Sequence, residues 1–329
     1  MKLDDLAEYF KTRDDFIVVS HEGPDADGIG AAYALVSALR ILGKRAAAAA
    51  AEALSPKFAF IDRSGLFLSL ASAPSPARAL PFAPRVAVVV DTHDLAYVGS
   101  RVEALLAGVS DRVLIDHHEP KGARYEPSLL ESSASSSCEL VYSLCRRLGV
   151  ELPLDAAAAV FAGIVYDTGS FSYPKTGAST FECALDLVRL GVSPYAIHNS
   201  IYESSSVGLL MLQKAVLSTL ELLEGNRVAV QSLRRADLAA CGAAYEDAEN
   251  LVNTPLQASD VEVSVLFKEN PEGKLRCSLR SKGGVNVAHI AQSFGGGGHK
   301  TAAGFTCQTP LERAKVDVLQ TIVKALADR

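Results

Sequence analysis

"FIVVSHEGPDADGIGAAYAL", residues 16–35, runs from a β-branched apolar segment through His21, Asp25 and Asp27 straight into an Ala-rich stretch of helical spacing. Taken alone it has an ordinary reading. Gly23 and Pro24 are turn formers, and Asp25 can cap the helix that follows. The alternative is that a turn at the end of a buried strand delivers an imidazole and two carboxylates to one site. The rest of the chain has to choose.

From residue 16 to about 190, short Val/Ile-rich runs alternate with longer helical patterns. "FIVVSH" (16–21), "RVAVVVDTHD" (85–94) and "RVLIDHHEP" (112–120) read as strands, each ending in Asp or His. "IGAAYALVSALRILG" (29–43), "CELVYSLCRRLG" (138–149) and "TFECALDLVRLG" (180–191) place apolar residues at helical spacing and stop at a Gly. Continuous apolar strands separated by helices predict a parallel sheet covered on both faces. Ligands of such sheets bind beyond the carboxyl ends of the strands. Here that end carries His21, Asp25 and Asp27, then Asp91 with His93 or Asp94 beside it, then Asp116, His117 and His118. A fourth apolar run, "VFAGIVYDTGSF" (160–171), ends at Asp167 in the same manner.

Carboxylates gathered in one crevice repel. Two unit charges about 4 Å apart cost roughly 4 kcal/mol at an effective dielectric near 20. Two divalent ions would offset the negative charge and leave the imidazoles as neutral ligands. A mixed carboxylate and imidazole set suits manganese or magnesium better than structural zinc, which favours cysteine. Any one of these residues is more often a cap, a turn former or a surface histidine. The repeated strand-end pattern favours the site.

After residue 203 the pattern changes. "SSSVGLLMLQKAVLSTLELLEG" (204–225) reads as one long helical linker ending at Gly225. "NRVAVQSL", "VEVSVLFKEN" and "KLRCSLRSKG" then alternate with period two, "ENPEGK" turns between the last two, and "PLERAKVDVLQTIVKALADR" (310–329) closes as an amphipathic helix. The expected fold class is therefore α/β. A parallel-sheet N-terminal domain (1–203) is joined by a helical linker (204–225) to a smaller α+β domain (226–329).

Composition narrows the function. The 329 residues are 49% hydrophobic and 21% charged, as in an ordinary globular protein. A net charge of −6 leaves no basic coat for a long nucleic-acid duplex, so a nucleic-acid substrate has to be short. No apolar run approaches the length of a membrane span, and the N-terminus lacks a leader pattern. The six scattered cysteines read as buried hydrophobes of a reducing compartment. A cytoplasmic protein is expected.

"SHEGPDADGIG", "VDTHD", "IDHHEP" and "AGIVYDTGSF" resemble, in order and spacing, the four motifs of the DHH phosphoesterase superfamily, named for Asp116-His117-His118. "LRSKGGVNVAHIAQSFGGGGHKTAAGF" (279–305) resembles the glycine-rich signature of the DHH-associated domain. Length and domain content are most similar to the nanoRNase/pAp-phosphatase branch. The resemblance implies that His21, Asp25 and Asp91 hold one metal, and that Asp27, Asp91, His117 and Asp167 hold a second, with Asp91 bridging. It implies that Asp116 orients the neighbouring imidazoles and that His118 faces the phosphoryl group. It also assigns Arg280, Ser281, Gly297, Gly298 and His299 to nucleotide binding. Asn286 is a further substrate contact or a helix cap, and consecutive glycines would form a backbone anion nest. His93, two residues past Asp91, is an extra ligand or a loop histidine, and is taken as the latter. The chain departs from the pattern in having no arginine near Tyr97 and Ala31 where a serine is common.

The expected activity is two-metal hydrolysis, Mn2+ first with Mg2+ or Co2+ as alternatives. Expected substrates are short RNA oligonucleotides, including dinucleotides such as pApA or pGpG, and mononucleotide bisphosphates such as 3′-phosphoadenosine 5′-phosphate (pAp). Homodimer formation stays open. The alternatives are an inorganic pyrophosphatase or polyphosphatase, and a non-catalytic nucleotide-binding module. The glycine-histidine segment argues against the first of these.

Overall fold

A computed structural model describes residues 2–71, 73–119, 127–270 and 272–327. Pro120, which ends the third motif, and Pro271, in the "ENPEGK" turn, lie outside the described residues. The chain divides into two compact units, Met1–Ser204 and Ser205–Arg329.

In the first unit the strands are β1 (Phe16–Val19), β2 (Ala46–Ala50), β3 (Phe67–Ser69), β4 (Val86–Val90), β5 (Asp111–Asp116) and β6 (Ser128–Leu130). The helices are α1 (Leu3–Thr12), α2 (Ala26–Ile41), α3 (Ser100–Leu106), α4 (Ser137–Arg147), α5 (Leu154–Asp167), α6 (Ala178–Arg189) and α7 (Pro194–Tyr202). The sheet order is β3-β2-β1-β4-β5-β6, and every pairing is parallel. Both faces are covered. Phe16 and Val18 of β1 enter the core shared with α1, α2, α4 and α5, whereas Ile17 and Val19 enter the core under α3. The chain direction of strand addition reverses between β1 and β4. That switch point opens a crevice at their carboxyl ends, where His21 and Asp91 lie.

One local outcome in this unit differs from the sequence expectations, and one was not anticipated there. "VFAGIVYDTGSF" is not a strand end: its first part belongs to α5, and Asp167 is the last residue of that helix. α5 is buried along most of its length, so its apolar run lacks the polar face that marks an amphipathic helix. Conversely, the alanines 46–50 form the buried strand β2 despite the residue's helical preference. Alanine is small enough to fill both layers there, Ala46 and Ala48 on one side and Ala47 and Ala49 on the other.

The second unit comprises α8 (Val207–Leu217), β7 (Glu221–Leu223), β8 (Val228–Leu233), α9 (Arg235–Cys241), β9 (Val263–Glu269), β10 (Leu275–Ser281), α10 (Val287–Ser293), β11 (Gly297–His299), β12 (Ala302–Thr306) and α11 (Leu311–Ala327). The sheet order is β11-β12-β10-β9-β8-β7; β8 and β9 pair in parallel and the other pairs are antiparallel. The helix expected over 204–225 is shorter. It stops at Leu217 because the Thr219 hydroxyl accepts from the Ser232 N–H at 2.9 Å and donates to the Val216 carbonyl at 2.7 Å, tying the chain to β8. Gly225, at φ +65°, then serves the β7–β8 turn rather than a helix end. No helix among the described residues is long and apolar enough to cross a membrane.

Candidate metal centre

Four stretches deliver side chains to the crevice. The first bears on the question raised by residues 16–35, because the cap and a place in a donor cluster are compatible there. Asp25 caps α2, its Oδ1 accepting from the Asp27 and Gly28 N–H groups at 2.9 and 3.3 Å, and it also lies within one cation's reach of His21 and Asp91. The His21 Nδ1–H donates to the Glu22 carbonyl at 3.0 Å, since a carbonyl can only accept. Its Nε2 lone pair is therefore directed away from the backbone, and lies 3.5 Å from Asp91 Oδ2.

Asp91 follows β4 in the left-handed region, φ +62°, a conformation Asp tolerates better than most residues. It is 4% exposed. While Oδ2 faces His21, Oδ1 lies 3.7 Å from His117 Nε2 and accepts from the Ser137 hydroxyl at 3.1 Å. Asp91 thus stands between two donor groups, with one oxygen toward each. The second group is Asp27, His117 and Asp167. His117 Nε2 is 3.0 Å from Asp167 Oδ2 and 3.9 Å from Asp27 Oδ2, yet both buried nitrogens of this ring lack a properly directed hydrogen bond. Asp27 is fully buried on the N-terminus of α4, accepting from the Ser137 N–H at 2.7 Å and the Cys138 N–H at 2.9 Å.

Burial first, then the Asp91 and Asp167 charges, push the Asp27 carboxyl well above the usual range. Burial, then Asp25 and Asp167, do the same to Asp91. Asp116 goes the other way. Burial would raise it, but hydrogen bonds from His118 and His93 outweigh that and hold it at about 2. An ionised carboxylate can only accept, so both imidazoles donate to it. His118 Nδ1–H donates to Oδ1 at 2.7 Å and His93 Nδ1–H to Oδ2 at 2.6 Å. The orphaned nitrogens of His117, the clustered oxygens and a donor set without cysteine among the described residues fit a pair of divalent cations. The Cys138 thiol in this layer donates to the Asp27 carbonyl, and burial pushes its pKa well up.

The DHH family N-terminal domain matches residues 15–164, and the DHHA1 domain matches residues 225–328. The chain belongs to the DHH family of phosphoesterases. It is 29% identical over 312 residues to the bifunctional oligoribonuclease and PAP phosphatase NrnA of Thermus thermophilus, covering 94% of this chain and 89% of that protein. To the protein of the same name from Bacillus subtilis it is 31% identical over 193 residues, 58% of this chain and 60% of that one. An exopolyphosphatase-related protein from Bacteroides fragilis superposes with a TM-score of 0.89 at 25% identity, covering 98% of this chain and 95% of that one.

Within this DHH protein, the residues assigned to nucleotide binding all fall in the second unit, where several have local structural tasks. The Ser281 hydroxyl donates to the Val285 carbonyl at 2.7 Å and closes a turn. Asn286 caps α10, its Oδ1 accepting from the Ala288 N–H at 3.1 Å, as its cap reading expected. The glycine run is an edge strand in a tight hairpin, not the expected nest. A Cβ on Gly298 would sit 2.5 Å from the Ala302 carbonyl oxygen, and one on Gly296 would sit 2.3 Å from that of Gly304. A Cβ on Gly297 would meet only open space. Arg280 and His299 both pair with Ala302 in register, so they share one sheet face about two strand spacings, roughly 10 Å, apart.

Sequence reading missed Ser137 and Gly163, and it read His93, which here bonds Asp116, as an extra ligand or a loop histidine. The serine cluster at 132–137 held the first signal: Ser136 caps α4 by accepting from the Glu139 N–H, an S-x-x-E start. Ser137 then serves both Asp27 and Asp91. Gly163 is a close-approach glycine at the α2–α4–α5 junction, which spacing along one segment does not reveal.

Proposed function

We propose that this protein is a metal-dependent phosphodiesterase that hydrolyses short oligoribonucleotides, dinucleotides included, to mononucleotides, and also dephosphorylates pAp. It is proposed to work in the cytoplasm. The observation that carries this reading is Asp91, a buried carboxylate with one oxygen toward His21 and the other toward His117. His21, Asp25 and Asp91 would hold one cation and Asp27, Asp91, His117 and Asp167 the other, manganese in this reading. The chemistry supplied at that place would be charge neutralisation at phosphoryl oxygens and activation of water. The chain's own share is positioning. α4 fixes Asp27 through two N–H donors, Ser137 fixes Asp91, and Asp116 fixes His118 with Nε2 turned away from it. The hydrogen bond to Asp116 raises the His118 pKa and holds the ring with Nε2 on the side from which a phosphoryl group would approach.

Purified protein with manganese should release mononucleotides from pApA or pGpG and adenosine monophosphate from pAp. Orthophosphate released from pyrophosphate alone, or binding without turnover, would overturn the reading. Arg280→Ala should raise KM about 10- to 100-fold, the range of a lost charged hydrogen bond, with manganese affinity unchanged. Loss of the metal in that variant would contradict the assignment of nucleotide binding to the second unit.

A further inference from the structure

We propose that His93 is a positioning residue for His118, acting through Asp116. Asp116 is fully buried, and its two oxygens are divided between two imidazoles, 2.6 Å to His93 and 2.7 Å to His118. A carboxylate is rigid and planar, so gripping one oxygen sets the direction of the other. The side chain of His118 is 55% exposed; Asp116 grips its ring directly, with the tilted face of His117 4.4 Å away between centroids and Asp91 Oδ1 3.9 Å from Nδ1. Its orientation therefore depends on Asp116 being held still. The His118 backbone N–H reaches Asp116 Oδ1 at 3.2 Å but leaves Oδ2 to His93. His93 sits two residues past Asp91 on the loop after β4, whereas Asp116 and His118 come from β5 and its end. The bond thus locks neighbouring strand ends together and fixes His118 in the Nδ1–H tautomer, with Nε2 presented outward.

The inference rests on the reading of His118 as the residue facing phosphate. His93→Ala should lower kcat about 10- to 100-fold, the usual range for a residue that orients a functional group, while KM and manganese affinity stay within about threefold. His93→Asn, whose amide N–H replaces Nδ1–H, should recover most of the loss. In a His118→Ala background, His93→Ala should cost nothing further. Histidine 15N spectra read the tautomer without turnover: His118 should be Nδ1–H in the native protein and in His93→Asn, and mixed in His93→Ala. An effect on KM or metal affinity instead of kcat, a full effect persisting without His118, or an unchanged His118 tautomer would each overturn the inference. Native protein that turns over no phosphate ester would sink the functional reading alone, because the spectra still decide the role of His93.

Discussion

Asp91→Asn is expected to lower manganese-dependent turnover by about three orders of magnitude or more, and yet to raise the melting temperature of the metal-free protein. The two signs have one cause. Asp91 is a buried carboxylate facing Asp25, Asp167 and Asp116, and without cations its charge is unfavourable in the folded state. Its raised pKa means that the stability it contributes is fully present below the ordinary carboxylate value and is lost as pH rises through the raised one. At neutral pH the metal-free protein carries that cost. Asparagine keeps an oxygen for the Ser137 hydroxyl, tolerates φ +62° and removes the charge. Relief of about 1 kcal/mol corresponds to roughly 2–4 °C for a domain of this size. The activity loss follows from the several kcal/mol that metal-assisted charge neutralisation supplies, each 1.4 kcal/mol being about tenfold in rate. Calorimetry with chelator and with manganese, beside turnover assays, checks both halves. In the native protein manganese should raise the melting temperature strongly; in the variant that rise should largely vanish. A variant with native turnover would show that the carboxylate is not shared.

Gly163→Ala is expected to destabilise the fold by about 1–3 kcal/mol, the typical cost of overpacking a filled core. The new Cβ would sit 2.3 Å from Cys138 Sγ and 3.0 Å from the Asp27 Cα, at a point where neither backbone can retreat without moving a proposed ligand. A displacement of Asp27 by a fraction of an ångström should also lower kcat, since misplacement of about 1 Å can cost 100-fold. Adding Cys138→Ala removes the sulfur contact and should restore part of the stability but little of the activity, because the Asp27 contact persists. Thermal unfolding and turnover of the single and double variants separate the two terms. A Gly163→Ala protein that melts and turns over like the native one would mean that α2 and α5 have room to spare there.

Much of the proposed site was legible because most of its candidate donors follow continuous apolar runs. β1, β4 and β5 are buried on both faces, so they had to be apolar until they reached the crevice, and the abrupt change to Asp and His marked their ends. Asp167 was found for a reason that proved incomplete. α5 is as buried as a central strand, and a short apolar run without a polar face does not declare its period. The alanine strand β2 was illegible for the opposite reason. Its residues prefer helix, and only neighbours on both sides, β1 and β3, supply the hydrogen bonds that make it a strand.

The glycines divide in the same way. Gly225 and Gly242 have positive φ, where a glycine follows from backbone geometry within its own segment. Gly163 and Gly296 exist for what lies against them, and Gly298, at φ +142°, for both reasons. Gly28 is similar, since a Cβ there would meet the Ser20 hydroxyl at 2.3 Å and Asp91 Oδ2 at 3.2 Å.

By itself the order of residues determined which candidate donors this protein owns, and that three buried strands, β1, β4 and β5, end at a common rim, because strand burial and chain direction are written into local hydrophobicity. Only the tertiary structure decided the pairings: Asp116 with His93 and His118, Asp27 with the start of α4, Asp91 between two imidazoles. Those depend on side-chain directions set by long-range packing and on how buried charges share a few donors, and neither leaves a mark on spacing along the chain.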